Sequence, residues 1–202
     1  MYTFALTGGI ATGKTTFGKI LQEICATVVL FDCDKAVARL LHEREVQERI
    51  VFKLGPSILD KFSGKLDLEI LRNRVFSDED SRKCLEGILH PLVRQECLES
   101  QTETATSGVS SMFIADVPLL FESGFDFGHE SSLLVATTRE TQLERLRSRN
   151  GYDDLLAEAM VNAQLPITEK VERADVVFWN EGPEQVLRCQ ILRFIQTLEN
   201  LT

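Results

Sequence analysis

Eight residues near the N-terminus, Gly8-Gly9-Ile10-Ala11-Thr12-Gly13-Lys14-Thr15, carry the spacing G-x-x-x-x-G-K-[ST]. Each residue type in that pattern has a physical task. The glycines let backbone N–H groups turn inward around an anion, Lys14 supplies a cation, and the hydroxyl of Thr15 supplies an oxygen ligand for Mg²⁺. An apolar run, Phe4-Ala5-Leu6, precedes the pattern and a helix-like segment, residues 15–21, follows it. A plain glycine-rich turn from strand to helix would need neither the lysine nor the hydroxyl, so the stretch reads as a phosphate loop.

Two further places carry carboxylates where chemistry could use them. Phe31-Asp32-Cys33-Asp34 ends an apolar run, and alternation along an extended chain points Asp32 and Asp34 the same way. One could accept a proton from an attacking hydroxyl and the other orient it or hold a hydrated Mg²⁺. The competing reading makes Asp34 a helix N-cap and leaves Asp32 merely exposed. Asp116 closes Met112-Phe113-Ile114-Ala115, a hydrophobic run leading into an acid as in Walker B magnesium sites, with a simple strand-end turn as the alternative. Arg145, Arg147 and Arg149 lie together before the turn signal Asn150-Gly151, either as phosphate-neutralising cations or as a solvated helix face. A guanine-specific switch would carry N-K-x-D after a later strand, but Asn180 is followed by Glu181-Gly182.

These residues need elements to hold them. Strand candidates are short and nearly continuously apolar, at residues 4–6, 28–31, 112–115, 133–136 and 176–179, as buried parallel strands are. Helical patterns fall between them, at residues 15–24, 35–54, 68–76, 78–99, 139–149, 153–164 and 184–198. Residues 102–111 (TETATSGVSS) read as a loop. The alternation predicts an α/β sheet covered on both faces, with ligands at the carboxyl ends of the strands. Residues 35–99 are too long for a simple crossover and are expected to form a helical lobe; residues 145–166 are expected to form a lid.

Composition limits the classes. A chain of 202 residues suits one domain burying roughly 70% of its unfolded surface. No apolar run approaches a membrane span, and the N-terminus lacks a basic stretch ahead of its first strand, so a cytoplasmic address is expected. The five cysteines form no C-x-x-C pair and read as reduced. A net charge of -9 argues against a nucleic-acid surface, and an anionic ligand would have to be met by cations confined to a cleft.

TGGIATGKT, DCD at residues 32–34, LHP at Leu89-His90-Pro91, DVPLLFE at residues 116–122, TQLERLRSR at residues 141–149 and ADVVFWN at residues 174–180, in this order and spacing over residues 2–182, resemble dephospho-coenzyme A kinase. The resemblance implies a P-loop NTPase three-layer fold with a mainly parallel five-stranded sheet, a helical substrate-binding lobe and a lid. The expected division is a nucleotide core at residues 1–34, 110–144 and 170–202, an acceptor lobe at residues 35–99, and a lid at residues 145–166. It also implies transfer of the γ-phosphoryl of ATP to the ribose 3′-hydroxyl of dephospho-coenzyme A, with Mg²⁺. So small a kinase is taken as a monomer by default, with a homo-oligomer as the alternative. The alternatives are another small-molecule kinase of this fold, acting on a nucleoside monophosphate or a sugar, and a nucleotide-binding regulator without catalysis.

Carried over onto this sequence, the resemblance puts ATP on Ala11, Thr12, Gly13, Lys14, Thr15, Thr16, Arg145 and Arg149. Catalysis falls on Asp34 as general base, Lys14 and Arg145; metal on Thr15, with Asp116 beside it. The acceptor falls on Asp32, Arg74, His90, Pro91, Leu119 and Glu122. Two departures stand out. Ala11 and Thr12 replace the family's usual glycine and serine, and Ala38 stands where a basic residue is usual, with Arg39 next to it.

Overall fold

The computed structural model describes residues 1–61 and 63–200, the side chains of residues 149 and 150 excepted. The chain divides into two compact units, Met1–Asp32 with Ser100–Thr202, and Cys33–Glu99.

The first unit is built on a parallel five-stranded sheet: β1 (Tyr2–Gly8), β2 (Val29–Asp32), β3 (Met112–Asp116), β4 (Ser131–Ala136) and β5 (Val176–Trp179), in the order β2-β3-β1-β4-β5. All four pairings are parallel, as the near-continuous apolar runs predict. The chain leaves central β1 toward β2, returns through β3, and then moves to the opposite side with β4. That reversal puts a ligand crevice outside the carboxyl end of β1. Period-two alternation sends Phe4, Leu6, Met112, Ile114, Leu133, Val135 and Phe178 to one face. They are covered by α1 (Lys14–Ile24) through Phe17, Ile20 and Leu21, and by α10 (Glu184–Glu199) through Leu187, Ile191 and Ile195, spaced to lie on single helix faces. Phe178 is the aromatic hinge of this core, edge-on to Phe17 at 4.7 Å and to Phe194 at 5.4 Å.

The second unit holds α2 (Cys33–Leu40), α3 (Arg44–Leu54), a 3₁₀ turn (Pro56–Ile58), α4 (Leu68–Ser77) and most of α5 (Glu79–Ser107). Where the sequence predicts one helix over residues 35–54, two form, and the chain turns at residues 41–43. There the amide N–H groups of His42 and Glu43 bond back only three residues, and Gln47 Nε2 donates to Leu41 O at 2.8 Å.

The predicted loop at residues 102–111 is corrected for its first half. Helix α5 runs through Pro91 to Ser107, and its polar residues fold back onto it: the hydroxyls of Thr104, Thr106 and Ser107 donate to the carbonyls of Ser100, Thr102 and Thr104 at 2.7–2.8 Å. The remaining helices are α6 (Leu120–Ser123), α7 (Arg139–Asn150), α8 (Asp154–Asn162) and α9 (Ile167–Arg173). Helices α6 and α9 are absent from the sequence expectation, being too short for periodicity to declare.

Candidate active site

The loop between β1 and α1 is shaped by what its backbone approaches. A Cβ on Gly8 would lie 2.8 Å from the Val135 carbonyl and 2.7 Å from Thr12 Oγ1, so only glycine fits. Gly13 has φ 100°, in the left-handed region, and a Cβ there would collide with Asn180 Nδ2. Helix α1 begins directly after Gly13 without a side-chain cap and without an acid in its first turn. Its first intrahelical bond is Phe17 N–H to Gly13 O, so the N–H groups of Lys14, Thr15 and Thr16 are the open donors of a helix start. They suit an anion.

The predicted site residues of this unit can now be located. Lys14 Nζ lies 2.8 Å from Asp116 Oδ1, pairing the loop's cation with the acid at the end of β3. Asp32 stands in register with Asp116 on the neighbouring strand. Thr15 is exposed in the first turn of α1. Among the described residues no group of three or more His, Cys, Asp or Glu side chains could hold a metal alone. The hydroxyl of Thr15 and the carboxylates of Asp32 and Asp116 are hard oxygen donors, and so few of them suit an ion that keeps its waters and shares phosphate oxygens, as Mg²⁺ does.

Thr12 is fully buried and turned inward, its hydroxyl donating to Gly9 O at 2.9 Å. Ala11 takes φ 59°, the one non-glycine residue with positive φ among those described. Arg145, expected over phosphates, places three of its five N–H donors on backbone carbonyls: Nη1 bonds Ala11 O at 3.1 Å and Thr12 O at 3.2 Å, and Nη2 bonds Asn180 O at 2.9 Å. The Arg149 side chain lies outside the described residues. Arg147 pairs with Asp154 at 2.6 Å and ties α7 to α8.

Glu122, expected on the acceptor side, pairs at 2.7 Å with Lys170, which is completely buried, and also accepts the Leu165 N–H at 3.1 Å. Leu119 is 43% exposed beside it. Trp179 has both backbone groups held by the side-chain amide of Gln190 at 2.9 Å, which covers the free edge of β5.

In the second unit, Asp34 lies in the first turn of α2, two residues beyond β2. Arg74 is engaged at the corner between α4 and α5, donating to Ser81 Oγ at 3.0 Å beside Asp78 at 3.7 Å. Leu89 is buried, His90 half-buried and Pro91 exposed within α5. Arg39, the residue next to Ala38, is paired with Glu96 at 2.6 Å.

Five residues around the loop are missing from the sequence expectation. Gln142 Nε2 donates to Ile10 O at 2.7 Å, Gln164 Oε1 accepts from Ile10 N–H at 2.8 Å, and Asn180 Nδ2 donates to Thr12 O at 2.8 Å. Lys170 reaches toward Gly8 O at 3.5 Å. Glu181 accepts from the hydroxyls of Thr137 and Thr141 and from Thr138 N–H at 2.6 Å. Its burial alone would raise the carboxyl, but these hydrogen bonds win and hold it at about 2. Asn180 carried a signal, a polar residue at the end of an apolar strand; the others stand in helices or turns, where sequence gives no partner.

The family model for dephospho-CoA kinase matches residues 2–185. A dephospho-CoA kinase of Geobacillus kaustophilus is 37% identical over 200 residues, covering 98% of each chain. Among solved structures, one of TT1252 from Thermus thermophilus superposes with a TM-score of 0.79 at 29% identity, over 100% of this chain and 98% of that one. A dephospho-CoA kinase from Campylobacter jejuni superposes with a TM-score of 0.68 at 27% identity, over 97% and 96%.

Proposed function

From the premise that the chain belongs to the dephospho-CoA kinase family, we infer how its own residues carry out the reaction. The protein is an ATP-dependent kinase that phosphorylates the ribose 3′-hydroxyl of dephospho-CoA, giving coenzyme A and ADP in the last step of coenzyme A synthesis. The observation that carries the reading is the Lys14–Asp116 pair at the open start of α1, a cation held beside uncapped N–H groups.

Lys14 and the N–H groups from residues 11–16 hold the β- and γ-phosphates of ATP, fixing the donor for in-line attack. Thr15, with Asp116 and Asp32, would hold Mg²⁺, which when bound neutralises charge on the phosphate oxygens. Asp34 takes the proton of the 3′-hydroxyl as that oxygen attacks phosphorus. Arg145 belongs to the nucleotide side: three of its five N–H donors fix the loop through the carbonyls of Ala11, Thr12 and Asn180, and the guanidinium charge stays beside the phosphates. The acceptor roles of Asp32, Arg74, His90, Pro91, Leu119 and Glu122, the phosphate contact of Arg149 and the lid at residues 145–166 rest on the family resemblance. A cytoplasmic monomer is the form we assign to the protein.

An ADP-release assay over a panel of acceptors tests the reading. Dephospho-CoA should support turnover far above shikimate, sugars or nucleoside monophosphates, and chelation of divalent ions should abolish it. Faster turnover on another panel member would make the protein a different small-molecule kinase. Mg-ATP binding without transfer to any of them would make it a regulator.

A further inference from the structure

The loop contains a conformational problem that the reaction does not explain. Ala11 sits at φ 59°, where a non-glycine residue costs on the order of 1–2 kcal/mol, so its surroundings must hold it there. They do so through one supersecondary unit, the hairpin of α7 and α8. Gln142 of α7, 3% exposed, donates to Ile10 O, and Gln164, two residues past α8, accepts from Ile10 N–H. The directions are fixed, because a backbone N–H can only donate and a carbonyl can only accept. The side chains of Ile10 and Ala11 pack on the small apolar cluster of Leu146, Ala157 and Val161 contributed by the same two helices. The turn carrying Gln164 is itself anchored, since Leu165 N–H bonds Glu122, which is paired to buried Lys170.

We propose that Gln142 and Gln164 are positioning residues of the phosphate loop, gripping both polar groups of Ile10 so that the α7–α8 hairpin moulds the loop into its ATP-binding shape. The two amides have opposite duties, and one substitution separates them. Gln164→Glu keeps an oxygen that accepts the Ile10 N–H. Gln142→Glu removes the donor and sets a carboxylate against the Ile10 carbonyl. Both variants add one negative charge beside Ile10, so added charge on its own would weaken ATP binding in both.

The experiment is calorimetric titration with Mg-ATP alone, followed by steady-state kinetics on the folded variants. This inference rests on the nucleotide reading of the loop: failure of the parent protein to bind Mg-ATP would overturn that reading, whereas binding by the parent with no contrast among variants would overturn only the present inference. Gln142→Glu and Gln164→Leu should weaken the Kd for Mg-ATP about 10-fold, the scale of one lost hydrogen bond, and raise the KM for ATP alike. Gln164→Glu should stay within about 3-fold of the parent, and the KM for dephospho-CoA should stay within about 2-fold throughout. Equal weakening by the two Glu variants, no weakening by Gln164→Leu, or a parallel rise in both KM values would overturn the proposal. Should Gln142→Glu not fold, Gln164→Leu against Gln164→Glu decides alone.

Discussion

At the scale of single residues, Asp34 and Ala11 carry the sharpest expectations. If Asp34 is the proton acceptor we propose, Asp34→Asn removes it but leaves the phosphate loop intact, so Mg-ATP affinity should persist while kcat falls on the order of 10²-fold or more. Calorimetry and initial rates on one preparation separate the two, and a kcat within a few-fold of the parent would remove Asp34 from its assigned role. For Ala11→Gly two effects oppose each other. Relief of the left-handed conformation stabilises the fold, and the added freedom of glycine in the unfolded chain destabilises it by about 0.5–1 kcal/mol. The first is the larger, so urea denaturation should show the variant unchanged or up to about 1 kcal/mol more stable. A loss exceeding that would mean the packing of the Ala11 methyl outweighs its strain.

The place of the phosphate loop was legible from type and spacing alone: β1 ends at Gly8 and α1 begins at Lys14, where the glycine, lysine and threonine pattern predicts a strand to give way to a helix. The positive φ of Ala11 was not legible, nor was the diversion of Arg145 to carbonyls. Both depend on pairings between the loop backbone and α7 side chains more than a hundred positions away in sequence.

At the scale of elements, the edge strand β5 is fastened at both ends by carboxylates. Asp175 accepts from the N–H and hydroxyl of Ser132 at 2.7 Å, hydrogen bonds that lower its pKa, and Glu181 gathers the donors that follow β4. A parallel ladder of four residue pairs gains two clamps in this way. The folded Glu181 carboxyl, at about 2, lies below its ordinary 4.5. Its contribution is therefore complete above about pH 4.5 and lost as the pH falls toward 2. Glu181→Gln should cost about 1 kcal/mol at neutral pH and flatten the stability profile across that window, measured by urea denaturation as a function of pH. An unchanged slope would assign the acid sensitivity to other carboxylates.

The buried Lys170 makes a second element-scale expectation, because its removal strands Glu122. Lys170→Met should destabilise by about 3 kcal/mol, and Lys170→Met with Glu122→Gln should recover part of that loss. A double variant no more stable than the single one would show that the pair itself is not what Lys170 supplies. The strands and the long helices were readable from period and flanks. Helices α6 and α9 were too short for either, and the Thr-rich end of α5 looked like a loop because its hydroxyls could serve turn or helix equally.

At the scale of the whole molecule, the chain carries a net charge of -9, and the lysines near the phosphate loop are each matched to one acid, Lys14 to Asp116 and the buried Lys170 to Glu122, rather than spread as a basic surface. One apolar face of the sheet that carries the loop is centred on Phe178 between Phe17 and Phe194. Phe178→Ala should cost about 3–5 kcal/mol in urea denaturation, since it opens a cavity beneath β5 and the loop alike. A cost below about 1 kcal/mol would show that α10 collapses to fill the space. The parallel α/β architecture was legible because buried parallel strands announce themselves as short apolar runs. The partners of the loop were not, since they arrive from α7, from the turn after α8 and from the end of β5.

The central claim, phosphoryl transfer to dephospho-CoA from ATP held at Lys14, is tested most directly by identifying the product. The protein, Mg-ATP and dephospho-CoA are incubated, and the product is located by phosphorus NMR, with Lys14→Ala run alongside. The account predicts a new phosphomonoester on the ribose 3′-oxygen, formed in proportion to ADP and lost in the variant. ADP without that phosphomonoester, or undiminished product from Lys14→Ala, would contradict it.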